Sequence, residues 1–481
     1  MPLKYELPLK PFIHGKFVDS KGSDRLTLRS AVDDSVLTEE LQSATPDDVD
    51  VAVASAEEGF KAWLAIPPEG RRAILWKFAD LIEENAERLA YLEAILVGKP
   101  LGVGIEYDAR GCAESFRFFA GFIDKFEGDF QSIHDGFIRA VHLEPLGVCA
   151  AICPFNSPLI TFGMKAAPAL AVGNSLVTKA SEFNPFSTLA LAELAIAAGI
   201  PPGTLNVVVG EAAAGAALSS HMKVRKISFT GSAAVGRKVQ IAAAQSNLKR
   251  VTLELGGKSP VLVFDDADLA TAVTNSMSFV MYNGQGCILG TRIYVQEGIA
   301  EQFVQVFKQS VEGFASTLGA DPLELTTMSA PIFHRRQQET VLGFLEKGKQ
   351  EAEVLTGGNA HPGKGLFIQP TIFTRPKADA DIVKKEIFGP VVVIDTFKTE
   401  EEVLQKANDT EYGLGAYVYT SNIDRAFRAA HALEAGAVAV NTARGVHNTI
   451  PFGGWKASGI GSENGKYVLR EYSHPKSITI K

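Results

Sequence analysis

Short apolar strands alternate with helices over the last two thirds of the chain, and this alternation limits the possible folds more than any other feature. In the first series, strands are predicted at 148–152, 175–178, 205–209 and 226–229, with helices at 158–172, 187–198 and 233–244. A second series is predicted as a strand at 259–264, a helix at 265–282 and a strand at 292–295. Strands separated by helices of this length indicate parallel sheets covered by helices on both faces. The two series predict two α/β domains, with a cleft between them near Glu254 and Cys287.

The first third of the chain is predicted to be mainly helical after a short strand-like lead. Regions 47–65 and 71–97 carry apolar residues at three- and four-residue spacing, and Pro100 and Gly102 are expected to end the second helix. The segment 128–144 breaks this pattern. Its alternating residues predict a strand hairpin outside the main domain.

Composition excludes several classes of protein. The chain has 481 residues, of which 46% are hydrophobic and 21% charged, as in ordinary soluble globular proteins. The net charge of −8, without a basic block, argues against nucleic acid or an acidic membrane as a partner. The four cysteines form neither a disulfide framework nor a metal-binding cluster, so no metal site is predicted. Because no targeting segment or membrane-length apolar run is present, we expect a cytoplasmic protein.

Two candidate catalytic residues lie in glycine-rich surroundings, where a ligand can approach the backbone closely. Glu254 begins the run Glu-Leu-Gly-Gly-Lys, and Cys287 ends the run Asn-Gly-Gln-Gly-Cys. A cysteine nucleophile and a carboxylate that activates water can form and hydrolyse a thioester. Taken alone, the same residues could be a small buried hydrophobe and a satisfied glutamate at a strand end.

Further motifs extend this pattern: Pro154-Phe-Asn156, Phe229-Thr-Gly-Ser232, Glu386-Ile-Phe-Gly-Pro390 and Pro451-Phe-Gly-Gly454. Together, and in this order, they resemble the NAD(P)-dependent aldehyde dehydrogenase superfamily. The resemblance implies an α/β fold of two Rossmann-type open-sheet domains with a cleft between them and a small β oligomerisation element. It assigns residues 1–126 and 146–252 to a dinucleotide-binding domain, 253–455 to a catalytic domain, and 127–145 and 456–481 to an element that forms a homodimer or homotetramer.

The resemblance also implies a role for each catalytic residue. The Cys287 thiolate would attack an aldehyde to give a thiohemiacetal, which expels hydride to a nicotinamide ring and leaves a thioester. The Asn156 amide and the backbone N–H of Cys287 would form the oxyanion hole. Glu254 would activate the water that hydrolyses the thioester, which favours release of a free acid over transfer to coenzyme A.

The cofactor is expected to be NAD, with NADP possible. The run Gly231 to Gly236 follows a strand and opens a helix, but it lacks the middle glycine of the dinucleotide fingerprint. By itself it fits a dinucleotide loop, a variant P-loop or a plain strand–turn–helix junction. The resemblance implies a phosphate loop in which Ser232 and the helix N-terminus meet the pyrophosphate, while Lys179 and Glu182 hold the adenosine ribose. The other implied cofactor contacts are Ile152, Pro154, Leu255, Glu386 and Phe388.

The substrate pocket is implied by resemblance to contain Ser157, Met164, Met281, Tyr282, Ile288, Phe452 and the loop bearing Arg444 and His447. If Arg444 points inward, it could pair with a carboxylated substrate, as in a semialdehyde dehydrogenase. If it faces solvent, the pocket suits aromatic or medium-chain aliphatic aldehydes, and we favour this alternative because loop arginines are usually solvated. A non-catalytic scaffold of the same fold is disfavoured because Cys287, Glu254 and Asn156 are all present. A P-loop phosphotransferase is disfavoured because the required lysine is absent.

Overall fold

The computed structural model describes residues 3–131, 135–377 and 379–481. Its strands, numbered along the chain, are β1 (Phe12–Ile13), β2 (Lys16–Phe17), β3 (Arg25–Arg29), β4 (Val36–Gln42), β5 (Phe130–Gln131), β6 (Ile138–Pro145), β7 (Val148–Ile152), β8 (Ser175–Ala180), β9 (Leu205–Val209), β10 (Lys226–Thr230), β11 (Arg250–Glu254), β12 (Ser259–Val263), β13 (Gly290–Gln296), β14 (Glu353–Thr356), β15 (Thr371–Thr374), β16 (Val391–Phe397), β17 (Gly415–Tyr419), β18 (Ala437–Val440), β19 (Gly459–Ile460) and β20 (Ser473–Ile480).

The α-helices, numbered in the same way, are α1 (Pro46–Leu64), α2 (Pro68–Glu84), α3 (Ala86–Val97), α4 (Leu101–Val103), α5 (Arg110–Ala120), α6 (Pro158–Val172), α7 (Phe186–Ala198), α8 (Ala212–Ser220), α9 (Ala233–Gln245), α10 (Leu269–Ser276), α11 (Glu297–Ala315), α12 (Arg335–Glu351), α13 (Asp381–Lys384), α14 (Glu400–Asn408), α15 (Ile423–Ala432) and α16 (Val468–Glu471). Tighter or wider helical turns occur at Gly104–Ala109 (π), Met277–Gly284 and Lys456–Ser458 (both 3₁₀).

Two α/β units organise the chain, as the two strand–helix series predict. The first unit is built on an eight-stranded sheet in the order β19-β11-β10-β7-β8-β9-β1-β2, whose five central strands are parallel. The second unit is built on a seven-stranded sheet in the order β14-β15-β16-β13-β12-β17-β18. Strands β7, β8 and β9 are buried along their whole length because helices cover both sheet faces.

The backbone passes from one unit to the other over a short stretch. Strand β11 ends in the first sheet at Glu254, and β12 begins in the second sheet at Ser259. The carboxyl ends of parallel strands are where open α/β sheets bind ligands. This crossing therefore lies beside the expected ligand cleft.

A three-stranded antiparallel sheet confirms the predicted strand hairpin and extends it. Strand β6 pairs with β5 on one side and with β20 on the other, from Ser473↔Pro145 to Ile480↔Ile138. The C-terminal strand β20 thus pairs with β6 along its whole length. The turn of the hairpin, residues 132–134, lies outside the described residues.

Three local features differ from the sequence-based expectation. The helix predicted at 71–97 is two helices, because Asn85 (φ −103°, ψ 13°) leaves helical geometry and its side-chain amide donates to the Leu81 carbonyl. The helix predicted at 265–282 ends at Ser276 and continues as the 3₁₀ turn, since Tyr282 and Asn283 have positive φ values. Strand β19 pairs with β11 at the edge of the first sheet, although no strand is predicted there.

None of the helices within the three described ranges combines the length and the apolar character required to cross a membrane.

Candidate active site

Four predicted functional segments meet where the central strands of the first sheet end. Ile152 is paired in register with Lys179 on one side and with Phe229 on the other. Thr230 is paired with Glu254 on the next strand. Because these strands are parallel and in register, the loops that follow them open at the same edge of the sheet.

Cys287 follows the 3₁₀ turn and is partly exposed, whereas Cys112, Cys149 and Cys153 are buried. Loss of water around the thiol raises the pKa of Cys287 to about 12, and repulsion from Glu386 and Glu254 adds to this. The backbone N–H groups of Cys287 and Ile288 act in the opposite direction by hydrogen bonding to the sulfur. The resting group is therefore a protonated thiol, and a base must take its proton before it can attack a carbonyl.

Asn156 lies between the end of β7 and the start of α6. Its side-chain Nδ2 donates to the carbonyl oxygen of Gln285 at 2.8 Å. The amide is thereby fixed next to the peptide that precedes Cys287. Because an amide nitrogen carries two hydrogens, one remains to donate to an oxyanion formed at the nucleophile.

Glu254, the last residue of β11, has a buried carboxylate with 2% of the residue exposed. Neither carboxylate oxygen has a hydrogen-bond partner among the described residues. Burial, and repulsion from Glu463, raise the pKa of Glu254 well above its usual value of 4.5, while Lys165 opposes the shift. A carboxylate without fixed partners and with a raised pKa is suited to take a proton from water.

The sequence does not reveal the buried polar network beside Glu254. Lys165 of α6 forms an ion pair with Glu463, and Ser228 of β10 bridges them, donating to Glu463 Oε1 at 2.6 Å and lying 3.0 Å from Lys165 Nζ. All three are buried. The one available signal is that Lys165 is the single charged residue in an otherwise apolar, almost fully buried helix.

Glu386 reaches the same region from the second unit. Its Oε1 accepts a hydrogen bond from the Gly257 N–H at 3.1 Å, and burial raises its pKa to about 7. A Cβ atom on Gly256 would stand 2.2 Å from Glu386 Oε2, so glycine is required for this approach. Phe388 has a φ of +54°, and the Gln337 side chain donates to its carbonyl at 3.0 Å. Gln337 is thus a positioning residue that the motif analysis misses.

The glycine-rich loop after β10 forms a close-packed strand–turn–helix junction. Gly231 N–H donates to the Glu254 carbonyl at 3.0 Å, and Ser232 caps helix α9 by accepting from the Val235 N–H at 3.4 Å. A Cβ on Gly236 would meet Leu255 at 2.6 Å, so the helix packs on β11 through this glycine. The N–H groups of the first turn of α9 are left to bind an anion such as a pyrophosphate.

At the end of β8, Lys179 Nζ pairs with Glu182 Oε2 at 2.8 Å. Lys179 is buried and Glu182 is partly exposed at the cleft. A carboxylate held there can accept hydrogen bonds from a ribose diol and would repel a 2′-phosphate. Together with Glu386 and the loop before α9, Lys179 and Glu182 could hold a dinucleotide across the strand ends. The buried Ile152 and the half-buried Pro154 lie at the end of β7, on the same edge of the sheet.

Aromatic side chains from both units pack together in the cleft. Phe183 of the first unit and His334 of the second are stacked at 4.1 Å with an angle of 12° between the rings. Phe155 contacts His334 at 4.8 Å and Phe388 at 5.9 Å between ring centroids. Burial lowers the pKa of His334 to about 4, so the imidazole is neutral at physiological pH. None of these aromatic contacts can be read from the motifs.

The side chains around Cys287 form an apolar cluster. Met164, Leu414 and Phe452 are buried together, and Ile160, Ile288 and Cys287 pack against them. Met164, Ile288 and Phe452 are therefore brought together as predicted, and Leu414 and Ile160 are additional members.

The other predicted pocket residues are more dispersed. Ser157 is half-buried at the start of α6, and Met281 is exposed. Tyr282 is buried among core residues of the first unit, and its hydroxyl donates to Asp108 at 2.9 Å. Arg444 and His447 are exposed, and the Arg444 side chain forms no ion pair within the described parts of the chain.

No group of three or more His, Cys, Asp or Glu side chains in residues 3–131, 135–377 and 379–481 is arranged to hold a metal ion.

Comparison with known proteins identifies the family. The model of the aldehyde dehydrogenase family matches residues 17–478. An aldehyde dehydrogenase of Alternaria alternata is 41% identical over 483 residues, covering 99% of this chain and 96% of the relative. Retinaldehyde dehydrogenase 3 of Homo sapiens is 41% identical over 479 residues, covering 98% and 93%.

Solved structures agree with the sequence relatives. An indole-3-acetaldehyde dehydrogenase of P. syringae in complex with NAD+ and IAA superposes with a TM-score of 0.96 at 37% identity, covering 99% of this chain and 97% of that one. An NAD+ complex of an aldehyde dehydrogenase from Bacillus cereus superposes with a TM-score of 0.95 at 38% identity, covering 100% and 97%. The chain is a member of the aldehyde dehydrogenase family.

Proposed function

We propose that this protein oxidises apolar aldehydes to carboxylic acids with NAD, through a thioester on Cys287. The observation that carries the proposal is the meeting of Cys287, Asn156 and Glu254 at the strand ends, beside an apolar cluster and a dinucleotide-sized set of polar groups. When bound, NAD supplies the hydride acceptor.

The first half of the reaction forms the thioester. The partly exposed thiol first gives its proton to solvent water. Cys287 Sγ then attacks the carbonyl carbon, and the carbonyl oxygen becomes an oxyanion. The free hydrogen of Asn156 Nδ2 and the backbone N–H of Cys287 stabilise that charge. The C=O bond re-forms as the C–H bond of the former aldehyde breaks and its hydrogen leaves as hydride with the bonding electron pair, and the product is an acyl thioester.

The second half releases the acid. Glu254 accepts a proton from a water molecule, whose oxygen attacks the thioester carbon. The carbon–sulfur bond then breaks and the thiolate leaves, so that the nucleophile is regenerated. Because the described residues offer the Glu254 carboxylate no hydrogen-bond partner, it is free to turn toward water.

An apolar substrate is supported by the surroundings of the nucleophile. The cluster of Met164, Leu414, Phe452, Ile160 and Ile288 contains no charged group. Exposure of Arg444 gives no support for a carboxylate-binding site. Two matched proteins are named for retinaldehyde and indole-3-acetaldehyde, and both of these substrates are largely hydrocarbon or aromatic.

The division into domains and the assembly follow the same proposal. We assign 1–126 and 146–252 to cofactor binding, 253–455 to catalysis, and 127–145 with 456–481 to oligomerisation. Exposed apolar side chains on the three-stranded sheet support an interface there: Phe130, Ile138, Ile478 and Ile480. Light scattering of the purified protein would give a dimer or tetramer mass, and a monomer would contradict this assignment.

The test of function is NADH formation with benzaldehyde, vanillin, hexanal and succinic semialdehyde, each repeated with NADP. We expect turnover of the first three with NAD, and no turnover after Cys287→Ala. Selective oxidation of the semialdehyde would instead show that a carboxylate is recognised. Undiminished activity of Cys287→Ala would refute the mechanism.

A further inference from the structure

A buried charged cluster lies in the helical layer of the first unit, away from the polar groups described above. The Lys99 ammonium is 2.5 Å from Glu93 Oε2 and 3.1 Å from Asp108 Oδ2. All three side chains are completely buried. A buried ion cluster rarely makes a fold more stable than apolar side chains of the same volume would. The stability of the fold therefore does not explain why these charged residues are present.

The cluster has one member from the segment that leads to the nucleophile. Tyr282 OH donates to Asp108 Oδ2 at 2.9 Å, and its ring lies 4.8 Å from Lys99 Nζ. Burial and the charge of Asp108 raise the pKa of Tyr282 well above 10, so the hydroxyl keeps its proton and remains a donor. On the far side, Ser187 donates to Glu93 at 2.7 Å.

The segment that Tyr282 begins is strained. Tyr282, Asn283 and Gly284 have φ values of 49°, 52° and 78°, a run of three left-handed residues of which two are not glycine. Such a run persists only where the surroundings impose it. Asn283 is buried, and its amide has no hydrogen-bond partner among the described residues, so its side chain restrains the segment through packing alone.

Within the segment, Gly284 packs against the backbone of Gly389, where a Cβ atom would stand 2.0 Å from the carbonyl group, and hydrogen bonds restrain the two ends. At the far end, the Gln285 side chain donates to the Tyr282 carbonyl at 2.7 Å and accepts from the Phe333 N–H at 2.9 Å. At the near end, the restraint is the Tyr282–Asp108 hydrogen bond. Asp108 belongs to the π turn Gly104–Ala109, a type of helical defect that often occurs at functional sites.

We infer that Glu93, Lys99, Asp108 and Tyr282 are positioning residues, which hold the left-handed segment so that Cys287 is presented to the substrate. The cluster fixes Asp108, Asp108 fixes the Tyr282 hydroxyl, and Tyr282 fixes the start of the segment that ends at the nucleophile. The inference rests on the proposed function, since it requires Cys287 to be the nucleophile.

The test uses Tyr282→Phe, which removes one oxygen atom and keeps the ring over Lys99. The matched control is Tyr294→Phe, because Tyr294 is equally buried, at 5% exposure, and its hydroxyl makes only long contacts with Arg292 and Lys406. Three quantities are measured on the full-length protein: amide hydrogen exchange by mass spectrometry without cofactor, kcat with KM, and the Kd of NADH by fluorescence.

We expect peptides that cover 282–287 to exchange about tenfold faster in Tyr282→Phe, with kcat lowered about tenfold, because one buried hydrogen bond to a charged group is lost. The Kd of NADH and the exchange of other core peptides should stay within about twofold of wild type. Asp108→Asn keeps an oxygen that can accept from Tyr282, so it should retain the slow exchange of this segment, whereas Asp108→Ala should not.

Unchanged exchange in 282–287 would overturn the inference, whatever happens to kcat, since the hydroxyl would then not restrain the segment. Faster exchange with a wild-type kcat would also overturn it, because the restraint would have no effect on the reaction. Failure of the proposed function is seen separately, as activity that survives Cys287→Ala, and the exchange measurement does not depend on activity.

Discussion

Replacement of Glu254 by glutamine is the sharpest test of the chemistry. The substitution preserves the shape of a side chain whose two oxygens have no hydrogen-bond partner in the part of the chain that the structure describes, so little rearrangement is expected. Thioester formation should survive, whereas hydrolysis should lose its base. General-base catalysis typically contributes about 10²–10⁴ in rate, so steady-state turnover should fall by about that factor. A burst of one NADH per active site should precede the slow phase.

The pH dependence follows from the environment of the same carboxylate. Burial and the neighbouring Glu463 raise the pKa of Glu254 well above 4.5. Only the ionised form is a base, and below the pKa its fraction grows tenfold for each pH unit. Hydrolysis by the wild-type protein should therefore rise with pH up to the pKa of Glu254 and then level off. In Glu254→Gln this rise should be absent from the slow phase.

Stopped-flow NADH absorbance with a fast aldehyde separates the two phases, and intact-mass measurement of quenched enzyme detects the acyl group on Cys287. Cys287→Ala is the control and should give neither burst nor acyl adduct. An unchanged steady-state rate in Glu254→Gln would show that another group activates the water. A wild-type hydrolysis rate that is already level just above pH 4.5 would contradict the assigned direction of the pKa shift.

Three further substitutions separate the remaining roles. Asn156→Ala should lower kcat by about 10²–10³ with the Kd of NADH unchanged, as measured by steady-state kinetics and fluorescence, because one oxyanion donor is lost. Glu182→Ser should raise kcat/KM for NADP at least about tenfold, because a carboxylate that repels a 2′-phosphate is removed; an unaltered preference would mean that cofactor choice is set elsewhere. Arg444→Ala should leave kcat/KM for benzaldehyde and hexanal within about twofold, since its side chain is exposed; a large loss would place the guanidinium at the substrate.

Part of each sheet was predictable, namely β7 to β10 of the first and β12 and β13 of the second, whereas β11 and β14 to β18 were not predicted. Strands such as β7 and β9 are wholly apolar and lie between turn residues, and both were predicted with the bounds that the structure shows. Helix α6 was also predicted to the residue, since Pro158 begins it and Gly173, with a φ of 108°, follows its end. Strand β19 has only two residues, which is too short for any alternation to be recognised.

The catalytic residues were predictable as motifs, but their electrostatic surroundings were not. Lys165 and Glu463 are 298 residues apart in sequence, and no local pattern connects them. Tyr282 illustrates a second limit. The family resemblance implies that it lines the substrate pocket, yet its left-handed backbone directs the ring to Asp108. Periodicity describes regular backbone and therefore gives no direction for a side chain in an irregular turn.

The segment Glu254–Gly257 joins three parts of the proposed machinery in four residues. Glu254 presents the base, while its carbonyl accepts from Gly231 of the phosphate loop at 3.0 Å. Leu255 packs against Gly236 of the helix that follows that loop, and the Gly257 N–H donates to Glu386 at 3.1 Å. A movement of the phosphate loop must therefore displace the backbone that carries the base. The segment Glu254–Gly257 also crosses from the first sheet to the second. In the proposed mechanism, cofactor binding and hydrolysis therefore share one structural element. Gly256 and Gly257 are needed for the close contacts of this segment with the second unit.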